Sequence, residues 1–173
     1  MLGFLQQSEE TEYTRYTYLF TKDITPESVQ ELIDVLVGIP SVDLFFATNG
    51  GCVVSMNTLI HFLNNHPDLN VYLTGYVASA GTFLLTDCTQ QVYLTDDLLW
   101  ILFHQADMEF GGKFRKTPFN KDVEYDQIKE MNDKLAEKFK KLGLSSKEIK
   151  DYMKGEDVIL YRKDFNRLKI NRK

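Results

Sequence analysis

Ser79 lies in the run Ala78-Ser79-Ala80-Gly81, between a strand-like segment and a short apolar one. Small neighbours let a carbonyl carbon approach the Oγ, and the first N–H groups of a following helix face a developing oxyanion. The same position suits an N-cap serine, whose hydroxyl only satisfies the helix's own N–H groups. Gly50-Gly51 is a second place where backbone N–H groups can point outward, although a plain left-handed turn explains it equally well. It matches neither GxGxxG nor GxxxxGK[ST], so it is not a nucleotide loop. Of the three histidines, His104 is the best placed to act as a base. It ends an apolar strand and precedes Gln105, whereas His61 is off the apolar stripe of its helix and His66 precedes Pro67 in a turn. A strand-end histidine also serves as a hydrogen-bonded structural residue. As a base, His104 would take the Oγ proton while a carboxylate holds its tautomer. The chain has 25 acidic residues, and spacing singles out none of them.

These groups need elements to hold them. Tyr16–Phe20 reads as a strand, rich in aromatics and Thr. Thr25-Pro26-Glu27 opens a helix, with Thr as N-cap and Pro at the first helical position. Its apolar face is Val29, Leu32, Ile33, Leu36 and Val37, and Gly38 and Pro40 stop it. Val42–Ala47 is a strand running into Thr48-Asn49-Gly50-Gly51. A second helix carries Met56, Leu59, Ile60 and Leu63 on one face and ends near Asn65. Asn70–Thr74 is a third strand, leading to Ser79 and a short apolar helix over Thr82–Leu85. Gln91–Leu94 and Leu99–Phe103 are further strands. Apolar strands alternating with amphipathic helices predict an α/β fold with a mostly parallel sheet. Ligands of such sheets bind beyond the carboxyl ends of the strands, where Gly50-Gly51, Ser79 and His104 all fall. Residues 105–121 read as an irregular excursion, followed by a long helix from about Asp122 to Leu142 with Ile128, Met131, Leu135, Phe139 and Leu142 as its stripe. Gly143 closes that helix, and Ser145-Ser146-Lys147-Glu148 is a capping box for the next. The remainder is a short apolar stretch, Val158-Ile159-Leu160, and a basic tail.

Composition bounds the rest. A chain of 173 residues with 43% hydrophobic and 13% aromatic residues has material for one packed domain over residues 1–173. The longest apolar run, Leu98–Phe103, is far short of the roughly 18 residues of a membrane span. Met1-Leu2-Gly3-Phe4-Leu5 has no basic lead, so no secretory signal is expected. Cys52 and Cys88 form no CxxC pair, which points to buried thiols in a reducing, cytoplasmic compartment and away from zinc. The net charge of −5 is uneven: residues 1–108 carry −11 and residues 109–173 carry +6. The basic third reads as the solvated faces of lysine-rich helices, since no nucleic-acid motif accompanies it.

The order of these motifs resembles the proteolytic subunit of the Clp protease family. Gly75-Tyr76-Val77-Ala78-Ser79-Ala80-Gly81-Thr82-Phe83-Leu84-Leu85 is similar to that family's nucleophile segment, and Phe103-His104-Gln105 to its histidine segment. The interval to Met131-Asn132 has about the length of the family's protruding handle, here about residues 105–142. Glu156-Asp157-Val158-Ile159-Leu160 falls where the family carries its catalytic acid. The resemblance runs over roughly residues 16–170. It implies a spiral of ββα units, a fold shared with crotonases, and a serine endopeptidase without cofactor or metal. Ser79 would be the nucleophile, His104 the base and Asp157 the orienting acid. The N–H of Ala80 and of Gly50 or Gly51 would form the oxyanion hole. It also implies homo-oligomeric stacked rings of seven subunits around a chamber, peptide or unfolded-protein substrates, and an AAA+ ATPase unfoldase as a possible partner. The exposed stripe of the long helix would suit contacts between rings, or equally burial within one subunit.

The departures are specific. The family's Ser-Pro-Gly-Gly is Thr48-Asn49-Gly50-Gly51 here, and its His-Gln-Pro is His104-Gln105-Ala106. The handle begins with Phe110-Gly111-Gly112-Lys113-Phe114-Arg115 in place of a small, Gln-rich run. Glu156 stands where an Arg commonly precedes the acid, and the segment before the first strand is short for loops that meet an ATPase. Two other readings follow: a catalytically silent assembly subunit, and a crotonase-fold enzyme acting on acyl-CoA thioesters without a reactive serine.

Overall fold

The computed structural model describes residues 14–106 and 118–170. Thr25 and Ser28 exchange side-chain and backbone bonds in a capping box, and Pro26 starts α1 (Pro26–Leu36). Strand β1 (Tyr16–Phe20) precedes it and β2 (Val42–Thr48) follows. Next come α2 (Val53–Asn64), β3 (Leu69–Ala78) and a 3₁₀ helix over Ser79–Leu85. The short strands β4 (Gln91–Leu94) and β5 (Trp100–Phe103) lead to α3 (Pro118–Leu142). Helix α4 (Ser146–Met153), β6 (Val158–Tyr161) and a second 3₁₀ helix, Arg162–Arg167, complete the chain. The sheet runs β1-β2-β3-β5-β6, with β4 also paired to β3. All pairs are parallel except β5 with β6.

Strand β3 is the axis of the arrangement. Its first half pairs with β4 (Asn70↔Gln91 to Leu73↔Leu94) and its second with β5 (Tyr76↔Trp100 to Ala78↔Leu102). Two short strands thus share one edge. Against β2 the register jumps from Phe46↔Leu73 to Thr48↔Val77, so β3 carries two extra residues there. Gly75 absorbs them at φ +57°, a conformation open to glycine without steric cost. The expected strand end at Thr74 is therefore a kink, and the strand continues to Ala78.

Alternation sorts the faces. Phe20, Leu44, Phe46, Val71 and Leu73 are buried in one cluster with Val29, Leu32 and Leu36 of α1 and Met56, Leu59 and Leu63 of α2. Each side chain so buried contributes about 1.5–3 kcal/mol. Val37, read from its spacing as part of the α1 stripe, is exposed because the helix ends at Leu36 and Val37 caps it in an extended conformation. The opposite face of the sheet carries Leu19, Phe45, Tyr72 and Tyr93 side by side across β1 to β4. Phe45–Tyr72 and Tyr72–Tyr93 stack at 4.8 and 4.9 Å, and Leu19 is 60% exposed.

In α3, Leu135, Phe139 and Leu142 are buried, and Met131 packs against the same core. Phe139 meets Phe103 of β5 and Tyr152 of α4 edge to face, at 4.8 and 5.3 Å. The C-terminal part of the stripe is thus spent inside this chain. Residues 107–117, where the handle is expected to begin, lie outside the described residues, as do residues 1–13. Gly143 ends α3 at φ +121°, and Arg167 donates to its carbonyl at 2.8 Å. Glu148 accepts from the Ser145 N–H and hydroxyl, both at 2.7 Å, completing the expected capping box of α4. Cys88 is buried, and that burial pushes its thiol up to about 11, but Cys52 is exposed at the start of α2 rather than buried as its isolation suggested. No helix among the described residues is long and apolar enough to cross a membrane.

Candidate active site

Strands β2, β3 and β5 are parallel, so their carboxyl ends open on one edge, and Gly50-Gly51, Ser79 and His104 leave the sheet there. The antiparallel β5–β6 pair matches Phe103 with Val158. The residue after Phe103 and the residue before Val158, His104 and Asp157, therefore emerge together. Sheet register, not local sequence, brings His104 to Ser79 across 25 positions and carries Asp157 to the same edge.

Ser79 has φ +54°, the one positive value outside glycine among the described residues. Left-handed backbone at a non-glycine residue costs about 1–2 kcal/mol, a strain that recurs where a nucleophile is pushed out of a tight strand-to-helix turn. Close packing holds the turn. A Cβ at Gly81 would overlap Thr48 Cγ2, and a Cβ at Gly50 would overlap Ser79 Cβ and lie 2.8 Å from Ala78 O. The N-cap alternative fails: Ala78 caps the 3₁₀ helix, with no side-chain cap bond. Instead Ser79 Oγ is 2.6 Å from His104 Nε2. The first N–H groups of such a helix have no partner within it, and that of buried Ala80 is among them.

Asp157 completes the cluster loosely. Its Oδ1 is 3.8 Å from His104 Nδ1, with the two side chains 60% and 42% exposed. That is beyond hydrogen-bond length, so the carboxylate attracts an imidazolium without fixing its tautomer.

The two glycines are not equivalent. Gly50 donates its N–H to Thr48 Oγ1 at 3.0 Å. The bridge between Ile24 and Gly51 uses the Gly50 carbonyl and the Cys52 N–H, at 2.7 and 2.8 Å, and leaves the Gly51 N–H out. Of the two candidate donors, Gly51 is the one left available.

Sequence reasoning missed Asn132. Only 5% exposed on α3, it accepts from the Ala106 N–H at 2.9 Å and donates to the Ala106 carbonyl at 3.2 Å. The Tyr152 hydroxyl donates to the same Oδ1 at 3.1 Å. This imitates a strand pairing two residues past His104 and steadies the segment that carries it. An uncharged polar residue one step from an apolar stripe was the available signal. His66 lies in the turn before Pro67 as expected, where it is buried and its Nδ1 accepts from the Asp68 N–H at 3.3 Å. His61 is exposed, as its position off the stripe predicted.

Two clefts are lined by residues next to the Ser79–His104 pair, though not by Ser79 or His104 themselves. One of about 490 Å³ is lined by Asp23, Thr25, Asn49, Gly50, Gly51 and Cys52. The other, about 230 Å³, is lined by Gln105, Ile128, Asn132, Asp133 and Met153. A larger cleft, about 640 Å³, lies between the ends of α1 and α2 and away from the pair's chain neighbours.

No protein-family model and no curated protein matches the sequence. Among solved structures, the chain is similar to a point mutant of ClpP1 from Listeria monocytogenes. The match covers 90% of this chain and 89% of that one, at 20% identity and a TM-score of 0.65. The mostly parallel sheet, the kinked β3 that serves two strands and the flanking helices together form a ClpP-like fold.

Proposed function

We propose that this chain is a serine endopeptidase of the Clp proteolytic-subunit class, working as a homo-oligomer. The observation that carries the reading is the 2.6 Å contact between Ser79 Oγ and His104 Nε2, at a serine held in left-handed backbone. At that distance the hydroxyl donates to Nε2. As Oγ attacks a peptide carbonyl, its proton passes to His104, and the imidazolium then protonates the leaving amine. The N–H groups of Gly51 and Ala80 receive the oxyanion. Asp157 favours the imidazolium through space, and a movement of about 1 Å would turn that attraction into a hydrogen bond. A peptide reaching Ser79 has open space beside Gly50-Gly51 and beside Gln105. Water returns the acyl-enzyme to serine by the same proton path.

Assembly into stacked rings, with a cytoplasmic chamber and an ATPase partner feeding it, belongs to the same reading. The outer sheet face supports the assembly part: parallel sheets are normally covered on both faces, and among the described residues Leu19 is exposed and Phe45, Tyr72 and Tyr93 are only half-buried. The acyl-CoA alternative leaves the Ser79–His104 contact without a purpose. The silent-subunit alternative draws on one observation, the 3.8 Å gap to Asp157.

Intact-mass spectrometry after exposure to a fluorophosphonate tests the proposal, with sizing to define the species. A single adduct on native protein, lost in Ser79→Ala and after heat denaturation, is expected. No adduct on assembled native protein overturns it in favour of the silent subunit.

A further inference from the structure

The pair Gly50-Gly51 sits at φ +101° and +136°, the most permissive backbone a chain can offer, with Asn49 before it in place of any rigid residue. Left alone, such a loop samples many conformations. A donor that wanders cannot stabilise an oxyanion, because that stabilisation depends on N–H groups fixed before the reaction. The loop must be held by something else.

The surrounding bonds supply the hold. Thr48, 1% exposed, donates its hydroxyl to the Lys22 carbonyl at 2.9 Å and accepts the Gly50 N–H at 3.0 Å. Asn49 Nδ2 donates to Asp23 Oδ1 at 3.1 Å. Ile24 donates to the Gly50 carbonyl and receives the Cys52 N–H. Residues 48–52 are thus tied to residues 22–24 at successive points. Sterics close the gaps: a Cβ at Gly51 would overlap the Ile24 carbonyl, and Gly50 lies against Ser79. The Thr48 methyl lies over Gly81, in the turn that carries the nucleophile. One side chain therefore touches the anchoring segment, the glycine loop and the serine turn.

We infer that the Thr48 hydroxyl, backed by the Asn49–Asp23 tie, is the positioning group for the oxyanion donor. It engages the Gly50 N–H, fixes the peptide plane that follows, and leaves Gly51 N–H as the group facing the reacting carbonyl. The inference rests on the peptidase reading of the site.

Thr48→Val keeps the shape and the methyl contact but removes both hydroxyl bonds, whereas Thr48→Ser keeps both bonds. Amide hydrogen exchange at Gly50 and Gly51 reads the clamp without requiring activity. Steady-state cleavage of a fluorogenic peptide and the rate of fluorophosphonate acylation read its consequence. Gly50 N–H is expected to be protected in the wild type and in Thr48→Ser, and unprotected in Thr48→Val. Thr48→Val should lose about 10- to 100-fold in kcat with KM within about twofold, the direction expected for a weakened oxyanion donor. Thr48→Ser should recover most of that loss. A reactive wild type with an unprotected Gly50 N–H overturns the clamp alone, as does a Thr48→Val enzyme with wild-type kcat. A wild type that is unreactive while Gly50 stays protected overturns the peptidase reading, and the catalytic role of the clamp with it.

Discussion

Asp157→Asn measures what the third member of the cluster does at the distance found. Where an acid is buried and bonded to the histidine, replacing it by the amide costs about 10⁴ in turnover, because the amide stabilises the wrong tautomer. Here Asp157 Oδ1 is 3.8 Å from His104 Nδ1 and both side chains are largely exposed, so no tautomer is fixed. What remains is attraction between a carboxylate and the imidazolium formed in the transition state. With solvent between exposed groups, that amounts to about 1 kcal/mol at this separation. One kilocalorie is a factor of about five in rate. The variant should therefore acylate with fluorophosphonate about fivefold more slowly than the wild type in the same oligomeric state. Raising the salt concentration should shrink the difference, since exposed charges are screened. Stopped-flow labelling at matched oligomeric state, from low to high salt, is the assay. A loss near 10⁴ with fold and assembly unchanged would refute the reasoning, because the acid would then have to be hydrogen-bonded in the reacting state.

Three further outcomes are expected. Gly50→Ala places a methyl group into Ser79 at positive φ, so it should cost about 1–2 kcal/mol of backbone strain and displace the nucleophile. Gly38→Ala, with nothing within 4 Å at φ +82°, should show only the strain; equal labelling rates in the two variants would contradict the close approach. Phe139→Ala removes a 1% exposed ring that lies between Phe103 and Tyr152, and should destabilise by about 3–5 kcal/mol in urea unfolding. A loss of less than about 1 kcal/mol would mean that α3 does not contribute to this core. Burial raises the Glu148 pKa, but bonds from Arg167 and Ser145 outweigh it and hold the carboxyl below its ordinary value. A depressed folded pKa stabilises above the unfolded value and is lost as pH falls through the folded one. Glu148→Gln should be less stable at pH 7 by about 2 kcal/mol. Its deficit should shrink on acidification below the usual glutamate range of about 4.3, and a deficit independent of pH would count against it.

Much of the scaffold was legible because its signals are local. The Thr25-Pro26 start, the Ser145/Glu148 capping box, the Gly143 stop and the stripe of α2 each depend on residues close together in the chain. Strand β6 was less legible, since four residues of alternating burial are too short to separate from a loop by period. That same strand brings Asp157 to His104, so the acid could be reached in the sequence only through a resemblance.

The order of residues sets which groups are available for chemistry: a serine among small neighbours, a strand-end histidine, a glycine pair after a strand. Side-chain chemistry and local backbone preference belong to the chain whatever its fold. The fold is what makes Ser79 Oγ meet His104 Nε2 and cap no helix. It alone decided that Gly50 is engaged by Thr48 while Gly51 is left available, and that Asp157 stands beyond bonding distance. These depend on strand register and on loops packed against each other across distant parts of the chain, where a shift of one position exchanges one face for the other.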